Sequence, residues 1–292
     1  MRLAYLLAPL VAIALAACAT PDPDTSTTDT STTDTATTDA APSEVAEIPL
    51  HSAADSLAMQ AFDYAGGPAA WASVAALRFD FAIERGGERI PIRHHLWDRT
   101  TGAYRIDWSN GDTLYTALFD VNDYTAGSVY MNGMPLADST LADALDNAEQ
   151  AYLNDTYWLL LPVKLFDDGV TRGLDADSSD ATTAALTLAF DDVGLTPDDA
   201  YWVYINRDSG AVEGWTYVLE SGGVGQSAWV DYQTFETEAG PVLLSARKER
   251  ADGLAILTDA LALPTDLDPA AFTDPATRLD RRALAADAPT EL

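Results

Sequence analysis

Residues 77–97 read LRFDFAIERGGERIPIRHHLW, and the two-residue alternation that begins here continues through most of the chain. Its first six residues alternate large apolar side chains with charged or small ones, which is the pattern of a strand with one buried face. Gly86 and Gly87 then mark a turn, and residues 90–97 make a second strand. The stretch therefore predicts an antiparallel hairpin.

The same period continues along the chain between turn signals such as Asn110-Gly111 and Asn132-Gly133. Strands joined mostly by short polar turns indicate a meandering antiparallel sheet, and no strand-helix-strand unit repeats. A sheet this long must curl, close or split. We predict one mainly β (α+β) domain of about eleven strands, at residues 77–82, 90–97, 103–108, 113–121, 128–131, 184–190, 201–206, 212–219, 226–235, 242–250 and 254–263.

Helical spacing appears in two places. Residues 51–74 have apolar side chains every three to four positions, with a break at Gly66-Gly67-Pro68 and a short restart around Trp71. Residues 138–153 form a second amphipathic helix with a stripe at Leu141, Leu145, Ala148 and Tyr152. The nearly unbroken apolar run 158–165 fits either an exposed loop that inserts into a membrane or partner, or a buried connection, which we prefer.

The start of the chain has the pattern of a secretory signal. Arg2 precedes an apolar run of about the h-region length, and small residues lead directly to the single cysteine, Cys18. The sequence Leu15-Ala16-Ala17-Cys18 resembles the lipobox of bacterial lipoproteins. That resemblance implies cleavage after residue 17 and acylation of Cys18, with an outer-membrane location and a domain facing the periplasm.

Amino-acid composition divides the chain after the signal peptide into a tether, a globular domain and a tail. Residues 18–45 contain three Thr/Asp repeats and almost no aliphatic bulk, so we expect a disordered tether after the lipidated cysteine. The globular domain is predicted at residues 46–275, and the acidic tail 276–292 is expected to fray. The net charge of −30 argues against nucleic-acid binding, and one cysteine excludes a disulfide framework.

Three stretches together resemble the outer-membrane lipoprotein-sorting (Lol carrier-like) superfamily. They are residues 65–79, which begin AGG; residues 157–170, which contain YWLLLPVKL and DGV; and residues 201–217, which begin YWVYINR. The resemblance covers about residues 65–250. It implies a curved, unclosed antiparallel half-barrel with two or three helices on its concave side, which shelters acyl chains and has no catalytic residues. The protein's own lipobox is closer to the membrane-anchored type.

Aromatic residues spread over many strands could line such a concavity, because one face of each strand of a curled sheet points inwards. The alternative is that the same rings form the core beneath the helices. The candidate lining residues are Trp97, Tyr104, Trp108, Tyr115, Tyr130, Trp158, Tyr204, Trp215, Tyr217 and Trp229.

Catalytic and metal signals are weak. His94 and His95 are neighbours on a predicted strand, so their side chains point to opposite faces. The acids of residues 175–180 are spaced like a calcium loop but lack its turn glycine and terminal glutamate. We therefore predict no enzyme activity, no cofactor and no resident metal.

The sequence favours an envelope lipoprotein whose half-barrel binds a lipid or acyl chain, in lipid or lipoprotein transport or envelope maintenance. A filled barrel that docks an envelope protein partner is the alternative. A periplasmic hydrolase, which would pair His94 or His95 with Asp98 or Glu84, is the third interpretation.

Overall fold

The computed structural model describes residues 48–190, 200–219, 222–277 and 279, and the hairpin of residues 77–97 lies near the middle of its sheet. The sheet is antiparallel with thirteen strands in the order β6-β5-β4-β3-β2-β1-β13-β12-β11-β10-β9-β8-β7. The strands are β1 Ala76–Arg85, β2 Glu88–Asp98, β3 Ala103–Asn110, β4 Thr113–Asp120, β5 Asp123–Met131, β6 Met134–Pro135, β7 Val170–Asp175, β8 Thr183–Phe190, β9 Ala200–Asn206, β10 Val212–Val218, β11 Val224–Thr237, β12 Gly240–Glu249 and β13 Leu254–Ala262.

Two meanders make up this sheet. Strands β1 to β6 pair in sequence on one side, strands β7 to β13 pair in sequence on the other, and β1 joins β13 along Arg78–Arg85. The described residues also contain α1 (Ala53–Tyr64), α2 (Gly67–Ser73), α3 (Asp138–Lys164) and a short 3₁₀ helix (Pro269–Phe272). Helix α3 connects the two edge strands, β6 and β7.

The sheet curves around α3. Within six consecutive positions of this helix, Tyr152 contacts Tyr104 of β3 and Tyr157 contacts Phe190 of β8. Those strands are eight positions apart in the strand order, which is about 38 Å in a flat sheet. The two helix residues are only about 8 Å apart along the axis. Such contacts require a curved sheet with α3 inside the curve.

Helices α1 and α2 cover the same inner face. Ser52 caps α1 by accepting a hydrogen bond from the Asp55 backbone N–H. The buried face of α1, with Ala58 and Ala61, packs into a core that contains the inner side chains of β1 and of β8 to β12. Gly66 separates α1 from α2 at φ 121°, where an added Cβ would lie 2.7 Å from the Pro241 carbonyl oxygen.

The predicted fold class is confirmed, with corrections to its elements. The sheet has thirteen strands, two more than predicted. The additional strands are β6, which has only two residues, and β7, which contains Gly173 and lacks a clear alternation. Helix α3 continues to Lys164, so the apolar run 158–165 is mainly helical. The run is buried as preferred, and it shows no amphipathic period because strands and helices surround it.

Several predictions concern residues outside the described part of the chain. The signal peptide of residues 1–17, the lipidation of Cys18, the tether 18–45 and most of the tail 276–292 fall there.

Candidate functional site

A buried polar cluster ties α3 to the inner face of the sheet. The Asp155 carboxylate accepts hydrogen bonds from Arg93 Nε at 2.5 Å and Arg93 Nη2 at 2.7 Å. It also contacts His95 Nε2 at 3.0 Å, and Asn154 donates to it at 2.8 Å. Arg93 and His95 belong to β2, so the cluster joins the helix to this strand across the concavity.

His95 extends the cluster to β3. Its Nδ1 lies 2.7 Å from the Tyr104 hydroxyl, and its ring stacks on Phe79 at 4.3 Å between centroids. Burial lowers the pKa of His95 and outweighs the opposite effect of Asp155. A neutral ring satisfies both bonds when Nε2–H donates to Asp155 and the Tyr104 hydroxyl donates to Nδ1.

The charges of the cluster are balanced. Burial alone would raise the pKa of Asp155, but Arg93 and His95 hold it below its usual range. Asp155 likewise raises the pKa of Arg93 against the effect of burial. The two groups therefore form an ion pair beside a neutral His95, and the cluster has no net charge.

A cleft opens next to this cluster, between α3 and strands β2 to β4. Its volume is about 420 Å³, which lies in the range of small-molecule sites. Three alanines of α3, at spacings of four and three residues, form the helix wall and leave room that larger side chains would fill. This α3 cleft is lined by Arg93, Ile106, Trp108, Asn110, Tyr115, Ala144, Asn147, Ala148 and Ala151.

Two of the predicted lining aromatics, Trp108 and Tyr115, are walls of the α3 cleft. They are directly opposite each other on β3 and β4, and their rings stack at 5.1 Å with an interplanar angle of 9°. Both side chains are half-buried, so they present apolar surface to the cleft. Arg93 adds a charged side chain to this lining.

The remaining inner-face aromatics pack against each other and against α3. Tyr104 and Trp97 contact Tyr152 of α3 beside the cleft. On the other side of the concavity, rings fill the space under the helices, with 4.4 Å between the centroids of Trp158 and Trp215. This filled side contains the predicted residues Trp158, Trp215, Tyr217 and Trp229.

Two predicted lining residues lie on the convex face instead. Tyr204 alternates with Val203 and Ile205, whose side chains are in the inner core. Tyr130 follows Val129, which also faces inwards. The sequence shows a strand at both places, but the parity of each strand relative to the concavity depends on the folded sheet.

Among the hydrogen bonds of the described residues, none joins His94 or His95 to Asp98 or Glu84, the pairs that the hydrolase interpretation names. His94 and His95 point to opposite faces as expected, and His94 Nδ1 contacts Asp80 at 2.7 Å. Asp98 accepts hydrogen bonds from residues of its own turn, and Glu84 binds Arg89 and Arg247. Neither carboxylate is a partner of His95.

The acidic loop 175–180 uses its first carboxylate to build a turn. Asp175 accepts from the backbone N–H of Asp177, from the Ser178 hydroxyl and from Trp202 Nε1. Across the described residues, no group of three or more histidine, cysteine or acidic side chains is arranged to hold a metal ion. Within the same residues, no helix combines the length and apolar composition needed to cross a membrane.

The sequence analysis did not identify Asp155 or Arg93, and of the three cleft alanines it placed only Ala148 on the apolar face of its helix. Asp155 is about sixty positions from its partners on β2, so no local motif contains the pair. The small residues Ala144, Ala148 and Ala151 repeat with helical spacing, which is a usable signal, but small residues are also common on exposed helix faces.

No family model and no curated protein matches this chain. Among solved structures, a LolA superfamily protein from Nitrosomonas europaea is similar at 14% identity and a TM-score of 0.45, covering 76% of this chain and 97% of that one. A DUF1329 family protein from Desulfovibrio piger is similar at 13% identity and a TM-score of 0.40, covering 79% and 98%.

Proposed function

We propose that the domain binds an acyl chain or another apolar lipid tail in the α3 cleft, without chemical conversion, for lipid or lipoprotein transport or envelope maintenance. The observation that carries this proposal is the α3 cleft itself. It lies on the concave face and has apolar walls from Ile106, Trp108, Tyr115 and the alanines of α3. Each methylene group that leaves water in such a cleft contributes about 0.8 kcal/mol.

The polar groups in and beside the cleft also support this proposal. The Arg93–Asp155 ion pair joins α3 to β2 beside the cleft, which supports a fixed spacing between the helix and the sheet. Asn110 and Asn147 add amide groups to the lining, and these suit the polar end of a lipid. Few polar groups in a mainly apolar cleft are typical of small-molecule sites.

Anchoring through acylated Cys18 is the second part of the proposal. The lipobox resemblance and the repeat-rich tether support a domain held near the outer membrane and facing the periplasm. Acyl chains on one residue supply more than one membrane signal, which stable anchoring requires. Labelling with radioactive palmitate tests this step: we expect incorporation into the wild-type chain and none into Cys18→Ser.

Filling the cleft tests the ligand site. The mature chain with Cys18→Ser carries no acyl chain of its own and can be purified from a bacterial periplasm without detergent. Native mass spectrometry should show a lipid adduct that extracts as lipid. We expect Ala144→Phe, which places a ring in the cleft, to reduce the bound fraction at least about tenfold.

The matched control is Ala142→Phe, which makes the same change at an exposed position of α3 two residues away. It should leave the adduct unchanged. A lipid-free wild-type protein that takes up no added fluorescent fatty acid would favour the alternative, a protein-interaction module. The filled side of the concavity around Trp158 and Trp215 is the observation that speaks for that alternative.

A further inference from the structure

One nitrogen of Arg93 has no partner in the fold and remains accessible at the α3 cleft. The Asp155 carboxylate occupies the edge of the guanidinium group formed by Nε and Nη2, at 2.5 and 2.7 Å. Among the described residues, no hydrogen bond engages Nη1, and this atom keeps solvent contact, unlike the buried unpaired nitrogens of Arg78. The Arg93 side chain is 15% exposed and lines the cleft. It therefore offers the cleft a free hydrogen-bond donor.

The orientation of this donor is fixed by the fold. Arg93 lies directly opposite Phe81 of β1, and its guanidinium carbon is 4.9 Å from the centroid of the Phe81 ring. Asp155 holds one edge of the guanidinium group while Phe81 packs against its face. A side chain that is already immobile loses little conformational entropy when a ligand binds. Nη1 is thus suited to one acceptor at a defined place.

The charges around the cleft favour an uncharged acceptor. Arg93 is the one charged side chain in the described lining of the cleft, and the buried carboxylate of Asp155 already balances it. The nearest acid along the helix wall is Asp143, whose carbonyl oxygen accepts from Asn147 at 2.6 Å, and the whole chain has a net charge of −30. A ligand carboxylate would therefore add an unbalanced charge to a partly buried site in an acidic protein.

Apolar side chains extend from Arg93 to the edge of the sheet. Residues directly opposite each other on neighbouring strands share a face, and one such row crosses β2 to β6. The row consists of Arg93, Trp108, Tyr115, Met131 and Met134. Its first three members line the cleft, and the two methionines are 39% and 68% exposed. A lipid tail whose polar end is at Arg93 can follow this row.

We propose that Arg93 selects an uncharged acyl linkage, an ester or an amide, as the polar group of the ligand in the α3 cleft. The carbonyl oxygen of the linkage accepts a hydrogen bond from Nη1, and the acyl chain lies over Trp108 and Tyr115 towards Met131. This inference rests on the proposed function and adds which polar group of the lipid is recognised. A free fatty acid, which is ionised at neutral pH, is the disfavoured ligand.

A series of ligands with one chain length tests the selection. Radiolabelled methyl decanoate, decanamide, decanoate and decyl methyl ether are each equilibrated by dialysis against the Cys18→Ser mature chain at neutral pH. We expect the ester and the amide to bind at least about tenfold more tightly than decanoate, which carries a charge, and than the ether, which lacks the carbonyl group.

A double variant assigns the preference to Arg93. Arg93→Met with Asp155→Leu removes the donor and leaves no buried charge without a partner, so it should bind the ester only as tightly as the ether. The control is Arg89→Met, the same change on the same strand at a side chain that is 42% exposed and outside the cleft. It should keep the preference of the wild type.

The outcomes separate this inference from the proposed function. If none of the four ligands binds, the proposed function fails and the inference fails with it. If the ether or decanoate binds as tightly as the ester, the cleft takes lipid tails but does not select the linkage, and the inference is overturned. A folded double variant that keeps the preference for the ester would overturn it as well.

Discussion

Asp155 joins α3 to strand β2 through a buried ion pair. Its carboxylate is fully buried between Arg93 and His95, so Asp155→Asn leaves the Arg93 charge without its counter-ion. Removing one partner of a buried ion pair costs about 3–5 kcal/mol, and we expect a loss of that size in the free energy of unfolding. Urea titration measures it.

The control for this substitution is Asp252→Asn, because Asp252 is half-exposed and its ion pairs lie at the surface. Its cost should stay below about 1 kcal/mol. The double variant Arg93→Met with Asp155→Leu removes both charges and should recover much of the stability. Equal costs for Asp155→Asn and Asp252→Asn would show that Asp155 does not hold the helix.

Lys248 makes the stability of the fold depend on pH. Its amine is fully buried, donates to the Ser245 carbonyl oxygen at 2.6 Å and lies 4.7 Å from the Trp229 ring centroid. Burial lowers the pKa of Lys248 to about 7. Above that pH the unfolded chain holds a proton that the folded chain has released, so the free energy of unfolding rises with pH.

Lys248→Met removes this dependence. The rise in the wild type amounts to at most about 1.4 kcal/mol per pH unit. We therefore expect the free energy of unfolding of the wild type to rise by about 2 kcal/mol relative to that of Lys248→Met between pH 7 and pH 9 in urea titrations. Parallel pH profiles for the two proteins would mean that Lys248 does not titrate in this range.

For His94 and His95, the sequence predicted the direction of the side chains but not their partners. The opposite faces of His94 and His95 followed from the strand period alone, and the structure agrees. The partner of His95 did not follow, because Asp155 is on another element and only the curvature of the sheet brings it close. Local periodicity determines the direction of a side chain, whereas its partner depends on the tertiary fold.

Among the contacts between elements, helix α1 approaches the β9–β10 turn closely. Gly210 has φ 80°, and a Cβ there would collide with the Gln60 carbonyl oxygen of α1. Gly210→Ala must therefore move the helix or the turn. We expect it to cost about 1–3 kcal/mol beyond the cost of the positive φ itself, measured by urea unfolding.

Gly253→Ala is the matched control. Gly253 has φ 81° and no atom within 4 Å of an added Cβ, so it carries only the backbone cost of about 1–2 kcal/mol. The difference between the two variants isolates the contact with α1. If both lose the same stability, α1 does not pack on this turn as described.

Elements with a clear period were predictable, and elements without one were not. The hairpin of β1 and β2 and the first half of α3 show strong alternation or a clear stripe. The second half of α3 has no polar face because the protein surrounds it, and β6 is too short for a period. Burial on all sides removed the amphipathic period from the second half of α3, and the short length of β6 left no alternation to detect.

The concavity of the whole molecule has two different sides: one is filled with core side chains and the other contains the α3 cleft. Curvature and helix placement follow from a long antiparallel meander with helices beside it. The sequence could not decide which side of the concavity is filled. On one side, Trp215 packs tightly against Trp158 of α3. On the other side, Trp108 is opposite small residues of α3, so it forms a wall of a cleft.

Photo-crosslinking with a phospholipid that carries a diazirine on its palmitoyl chain tests directly whether a lipid tail occupies the α3 cleft. The Cys18→Ser mature chain is irradiated with this lipid, digested and mapped by mass spectrometry. We expect labels on the cleft walls, at Trp108, Tyr115 and the segment Ala144 to Ala151, and their loss in Ala144→Phe. Labels confined to the convex face, or none above background, would mean that no lipid tail occupies the α3 cleft.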